Sequence, residues 1–202
     1  MANELFPVFD FPETGEEEEE YDEHVWLSLR NAEKVCSAFA ETLCELDEAN
    51  GQLYQYNENQ YQKRLKALDQ AYEETVREAE NPVLLFGDRF AFRYLAEDYG
   101  ITCYAAFPGC SAETEASFST ITFLAEKAGE CALPVILAMD GSDQKIARTI
   151  AGNTDTRDQK VRVLDSMQSV SSEAIRAGES YLSIMERNLE VLKEALNVQG
   201  GV

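Results

Sequence analysis

The stretch "NPVLLFGDRFAFRYLAEDYGITCYAAF", Asn81–Phe107, decides the fold. Asn81-Pro82 stops whatever helix precedes it, because proline lacks a backbone N–H and clashes with the turn before it. An apolar run "VLLFG" follows, then "FAFRYLAEDYG" with apolar residues at helical spacing, then a second apolar run "ITCYAAF". The same unit recurs downstream. "ITCYAAF" leads to "EASFSTITFLAEKAGE", "PVILAMD" to "QKIARTIAG", and "VRVLDS" to "YLSIMERNLEVLKEAL". The apolar runs are continuous rather than alternating, as in strands buried on both sides. Four repeats of strand then helix therefore predict an α/β fold, a four-stranded parallel sheet with helices on both faces. Ligands of such sheets collect at the carboxyl ends of the strands. Those ends read Gly87-Asp88-Arg89, Phe107-Pro108-Gly109-Cys110, Asp140-Gly141-Ser142 and Asp165-Ser166.

Upstream of Pro82 the pattern is helical. Ala32, Val35, Cys36, Phe39, Leu43 and Cys44 form one stripe, with Ser28 placed as N-cap. A break is expected near "DEANGQ", where Gly51 weakens the helix. Tyr54, Tyr61, Leu65, Leu68, Tyr72 and Val76 then recur at spacings of three, four or seven. A helix from about Ala49 to Glu80 would be ~48 Å long, a strut running along a whole molecule. The chain thus divides into an acidic N-terminal arm at 1–23, a helical segment at 24–81 containing this long backbone helix, and an α/β lobe at 82–202.

With 202 residues, 45% of them apolar, the chain can bury a sizeable core. Its formal net charge of −21 excludes nucleic acid and anionic membrane as partners, since both polyanions would be repelled. No apolar run is long enough to span a bilayer. The opening "MANELFPVFDFPETG" has no basic region followed by an apolar one, so no secretory signal is expected in it. Five cysteines without a CxxC spacing read as buried or half-buried thiols. Cys36 and Cys44 sit ~12 Å apart along one helix, too far to bridge.

The candidate chemistry is sparse. His24 is the sole histidine, and it follows the run Glu16–Glu20. By itself that run is a solvated tail. Asp140 and Asp165 each end a buried strand and could simply cap the next helix. If they converge with His24, one imidazole and carboxylates suit a divalent transition metal such as zinc or manganese. Neither GxxxxGK[ST] nor GxGxxG occurs, so no phosphate-cradling loop is expected. Cys110, just past a strand, is the one position for a thiol nucleophile.

Several segments, in order, resemble one family. "YDEHVWLSLRNAEKVCSAFAETLCELDEANGQLYQYN" is similar to the segment D-P-H-x-W-L-x-P-x-N-A of metal-binding ABC-transporter substrate-binding proteins, the zinc/manganese cluster. "FGDRFAFRYLAEDYGI" resembles their H-x-A-F-x-Y-L-A-x-x-Y-G. "PGCSAETEASFSTITFLAEK" resembles S-P-x-x-E-P-S and its helix, and "YLSIMERNLEVLKEAL" their closing Y-x-x-M-x-x-N-L-x-x-L helix. The resemblance spans about residues 21–197.

It implies capture rather than catalysis: a divalent cation, Zn²⁺ or Mn²⁺, held as cargo and delivered to an ABC transporter permease at the extracellular face of the membrane, from a periplasmic or lipid-anchored position. His24 falls on a family metal ligand, and Asp165 on the position where manganese-type members supply an aspartate. Another ligand position falls on Arg89, which cannot coordinate a cation. Asp88 or Asp140 could compensate there, or Arg89 could pair with Asp165 and fill the site. The family's N-terminal lobe has no counterpart in the sequence, so a truncated form is expected. The alternative is an interaction module without metal, dimerising through the apolar face that an absent lobe would expose.

Overall fold

Pro82 ends the helical half of the chain, and the sheet begins one residue later. The computed structural model describes residues 22–108 and 115–198. The glutamate run Glu16–Glu20 and Cys110 lie outside the described residues, and so does the arm apart from Asp22 and Glu23. A single 3-10 turn, Val25–Leu27, opens into helix α1, Leu29–Leu46. Ser28 caps it, its Oγ accepting from the Asn31 N–H at 2.9 Å and donating to Asp98 at 2.5 Å. A second 3-10 turn, Glu48–Asn50, bends the chain into α2, Gly51–Glu78. At 28 residues α2 is about 42 Å long, four residues shorter than the spacing predicts. Gly51 starts this helix rather than weakening one.

The sheet consists of β1 (Val83–Phe90), β2 (Thr102–Pro108), β3 (Val135–Met139) and β4 (Lys160–Leu164). All pairings are parallel, in the order β2-β1-β3-β4. The remaining helices are α3 (Arg93–Tyr99), α4 (Phe118–Glu130), α5 (Lys145–Asn153), α6 (Ser172–Arg176) and α7 (Tyr181–Ala195). Side chains alternate across the sheet into two cores. Leu84, Phe86, Val135 and Leu137 join Leu65, Tyr72, Leu95 and Met185 on the α2, α3 and α7 side. Val83, Leu85, Ile136 and Ala138 join Leu124, Ala128, Ala147 and Ile150 on the α4 and α5 side. Leu27 and Leu29 belong to the first core, so the entry turn is packed onto the lobe. No described helix is long and apolar enough to cross a membrane.

One difference from the sequence reading shapes the site. β1 runs on through Asp88-Arg89 to Phe90, and α3 starts at Arg93 instead of Phe90. Between the pairs Phe86–Ala105 and Arg89–Phe107, β1 carries one extra residue, a bulge at Gly87-Asp88. The buried Asp88 fixes the bulge: Oδ1 accepts from its neighbour's N–H at 2.9 Å, and Oδ2 accepts from the Met139 N–H on β3 at 3.2 Å. Gly87 is needed here because α5 passes directly over it. A Cβ would lie 2.4 Å from Ala147 Cα.

Candidate metal centre

Between β1 and β3 the strand order reverses direction, and in parallel sheets this is where a crevice opens at the carboxyl edge. A cavity of about 240 Å³ lies there. Asp88 and Arg89 come from β1, Met139 and Asp140 from the end of β3, and Gln168 from the loop after β4.

His24 is brought to this edge by the entry turn. Trp26 donates from Nε1 to the Ser166 carbonyl at 2.9 Å, and Tyr181 donates its hydroxyl to the Trp26 carbonyl at 2.9 Å. Tyr94 donates to the Asp22 carbonyl at 2.8 Å. These bonds hold Asp22–Trp26 against the loop after β4 and the first turns of α3 and α7. His24 itself is buried, 1% exposed, and its ring lies 5.4 Å from that of Trp26. Its Nδ1 lies 2.8 Å from Asp22 Oδ1, and the same oxygen accepts from the His24 N–H at 2.9 Å. An ionised carboxylate only accepts, so Nδ1 is the donor of this pair, and in the neutral tautomer that this selects, the lone pair lies on Nε2. That carboxylate–imidazole pairing is how metal-binding histidines are usually oriented. On its other oxygen Asp22 faces Arg93, with Nε 3.7 Å from Oδ2.

The Nε2 lone pair meets Gln168, whose amide nitrogen lies 2.5 Å away. Gln168 therefore joins His24 to the cavity wall. Sequence reasoning missed it, since a neutral glutamine in a polar loop carries no signal. Met167, just before it, has φ +61°, which turns the loop so that Gln168 faces His24.

Asp165 lies in the same loop, 31% exposed at its side chain. Its Oδ1 accepts from the Met167 N–H at 2.8 Å, and Oδ2 lies 3.8 Å from Arg187 Nη2. Asn188 brackets its backbone, with Oδ1 2.9 Å from the Asp165 nitrogen and Nδ2 2.8 Å from its carbonyl oxygen. The pairing of Arg89 with Asp165, one of the arrangements the sequence left open, is not formed; Arg187 lies beside Asp165 instead. The reason is register, because Arg89 stays in β1 while α7 passes beside the β4 loop. Arg187 is shared with Glu179, 2.8 Å away, whose carboxyl it holds down at about 2, helped by Ser183. Asp140 caps no helix. Its Oδ1 accepts from both the N–H and the hydroxyl of Ser166 at 2.6 Å, binding the end of β3 to the end of β4. Among the described residues, one group of three acid, His or Cys side chains has its ligand atoms within 4.8 Å: Asp22, Glu23 and His24.

Away from the cavity, α1 and α2 form a hairpin with no buried residue in α2 before Leu65. Phe39 is 67% and Leu46 80% exposed there, and an apolar groove of about 350 Å³ runs between the helices.

Over residues 4–195 the sequence matches the family described as zinc-uptake complex component A, periplasmic (ZnuA). The zinc-binding lipoprotein AdcA of Streptococcus pneumoniae serotype 4 is 31% identical over 181 residues, covering 90% of this chain and 35% of the relative. The high-affinity zinc uptake system protein ZnuA of Bacillus subtilis is 31% identical over 178 residues, 88% of this chain and 54% of that one. In three dimensions, the metal-dependent lipoprotein YcdH of Bacillus subtilis superposes with a TM-score of 0.75 at 31% identity, over 88% of this chain and 65% of that one. The Zn(II)-bound ZnuA-like domain of Streptococcus pneumoniae AdcA gives 0.71 at 30% identity, over 88% and 64%. The chain thus spans 35% and 54% of the length of these two curated relatives.

Proposed function

Because this chain belongs to the zinc-uptake component A family, whose members are solute-binding proteins rather than enzymes, we propose that it captures a divalent cation for delivery to an ABC transporter permease. Zinc is the first cargo and manganese the second. The place of work is the extracellular face, periplasmic or lipid-anchored.

The observation that carries this reading is the oriented imidazole. Asp22 fixes the proton on Nδ1 of His24, so Nε2 is a ready nitrogen donor at the carboxyl edge of the sheet. Zinc accepts imidazole nitrogen together with carboxylate oxygen, whereas magnesium and calcium prefer oxygen alone. Displacing the Gln168 amide from Nε2 is the cost of entry. We assign the cation to His24 and Asp165, the latter through Oδ2, the oxygen not engaged with Met167.

Calorimetric titration of the chain with zinc and with manganese tests this. Binding tighter than roughly 10 μM for zinc, lost in His24→Ala, supports the assignment. Asp165→Asn keeps the acceptor for Met167 while removing the charge, and should weaken zinc about tenfold. Silence toward both metals would sink the reading.

The exposed α1–α2 face favours a second, compatible element: a homodimer through Phe39, Leu43 and Leu46. Exposed Glu41, Glu45 and Glu48 lie at the hairpin tip and exposed Lys34, Lys63, Arg64 and Lys66 toward its base. An antiparallel pair of hairpins would set these opposite charges against each other. Sedimentation of wild type and Phe39→Glu checks it; a wild type that stays monomeric at high concentration would exclude the dimer.

A further inference from the structure

Arg89 is an exposed guanidinium on the wall of the β1–β3 cavity, and no described carboxylate makes an ion pair with it. An arginine at a topological switch point, beside a cavity with room for a few heavy atoms, is built to meet a ligand oxygen anion. The cavity's two acids do not serve it. Asp88 is spent on the N–H groups of Arg89 and Met139, and Asp140 on Ser166.

We infer that Arg89 holds a small carboxylate anion, which enters with the cation and supplies the oxygen ligand that Arg89 itself cannot. This rests on the cation-capture reading above. The charges set the order. Two aspartates and one arginine leave the cavity wall with one net negative charge, so an anion alone is repelled. Asp165 adds nothing to this balance, because Arg187 sits 3.8 Å from it. A divalent cation at His24 Nε2 reverses the sign to one net positive charge, enough for one monoanion. Gln168, which touches Nε2 and lines the same cavity as Arg89, connects the two positions. The anion would bridge Arg89 and the cation, with the guanidinium donating two hydrogen bonds in its usual fork.

Acetate is the probe. The whole chain is titrated with zinc chloride by calorimetry, in acetate and in chloride at equal ionic strength, as wild type and as Arg89→Ala. Acetate should tighten zinc binding about tenfold in the wild type and leave Arg89→Ala unchanged. The methyl resonance of acetate should broaden on addition of the zinc-loaded chain and stay sharp with the metal-free chain. Zinc bound equally well in acetate and chloride would overturn the anion site while the capture reading stands. So would an acetate gain that survives in Arg89→Ala. No zinc binding in either medium would overturn both.

Discussion

Asp22 Oδ1 lies 2.8 Å from His24 Nδ1, so a carboxylate that is itself nearly buried fixes which imidazole nitrogen can bind a cation. Removing the charge while keeping an oxygen acceptor isolates that effect. Asp22→Asn should fold normally and bind zinc about tenfold more weakly, since altering the hydrogen-bond partner of a metal-ligating histidine lowers metal affinity by about that much. Calorimetry on the variant checks this, and an unchanged affinity would show that the pair serves only packing.

Gln168 presents an amide N–H where a cation has to sit. Replacing it with glutamate exchanges that donor for an anionic oxygen beside the nitrogen lone pair. Gln168→Glu should therefore tighten zinc binding by about tenfold or more. A competition titration against a coloured chelator reads the change directly.

Gly87 lies under α5 with no room for a methyl group, since a Cβ would meet Ala147 Cα at 2.4 Å and its nitrogen at 2.7 Å. Both obstructing atoms are backbone, so relief requires helix and strand to part. Gly87→Ala should cost about 3 kcal/mol, or roughly 10 °C in Tm for a chain of this size. Gly152→Ala, where nothing lies within 4 Å, is the control and should leave Tm within about 2 °C of wild type.

The anchor of α7 should respond to acid. Glu179 is held from its ordinary 4.5 down to about 2, first by the hydrogen bond from Arg187 and then by that from Ser183. A depressed folded-state value stabilises above the unfolded value and is lost as pH falls through the folded one. The stability difference between wild type and Glu179→Gln should be constant above about pH 5 and shrink between about 4.5 and 2. Chemical denaturation at a series of pH values measures it. A difference that grew on acidification would contradict the pairing.

The middle of the sheet was legible because β1 and β3 are buried on both faces, so "VLLFG" and "PVILAMD" are apolar runs that local pattern alone marks, whereas β4 at the edge is half-exposed and carries Arg162. Tyr72 and Leu65 were likewise legible through helical spacing, and Ser28 through its capping chemistry. The end of β1 was not. Asp88 and Arg89 look like a turn in sequence, and it is pairing with β2 at Arg89–Phe107 and the bond from the Met139 N–H on β3 to Asp88 that keep them in the sheet. The site divides in the same way. His24 stood out as the lone imidazole before Trp26, but its partner Gln168 lies 144 residues away and is chemically unremarkable on its own. Arg187 replaced Arg89 as the neighbour of Asp165 because helix packing, which residue types do not encode locally, set the distance.

In the proposed capture, zinc sits on His24 Nε2. X-ray absorption at the zinc edge of the loaded chain addresses it without relying on affinity. Expected is a shell of imidazole scattering with a nitrogen at about 2.0–2.1 Å from the metal, absent in His24→Ala. Because the chain has a single histidine, any imidazole signal is assigned at once. Stoichiometric zinc in the wild type with oxygen-only scattering would contradict the claim.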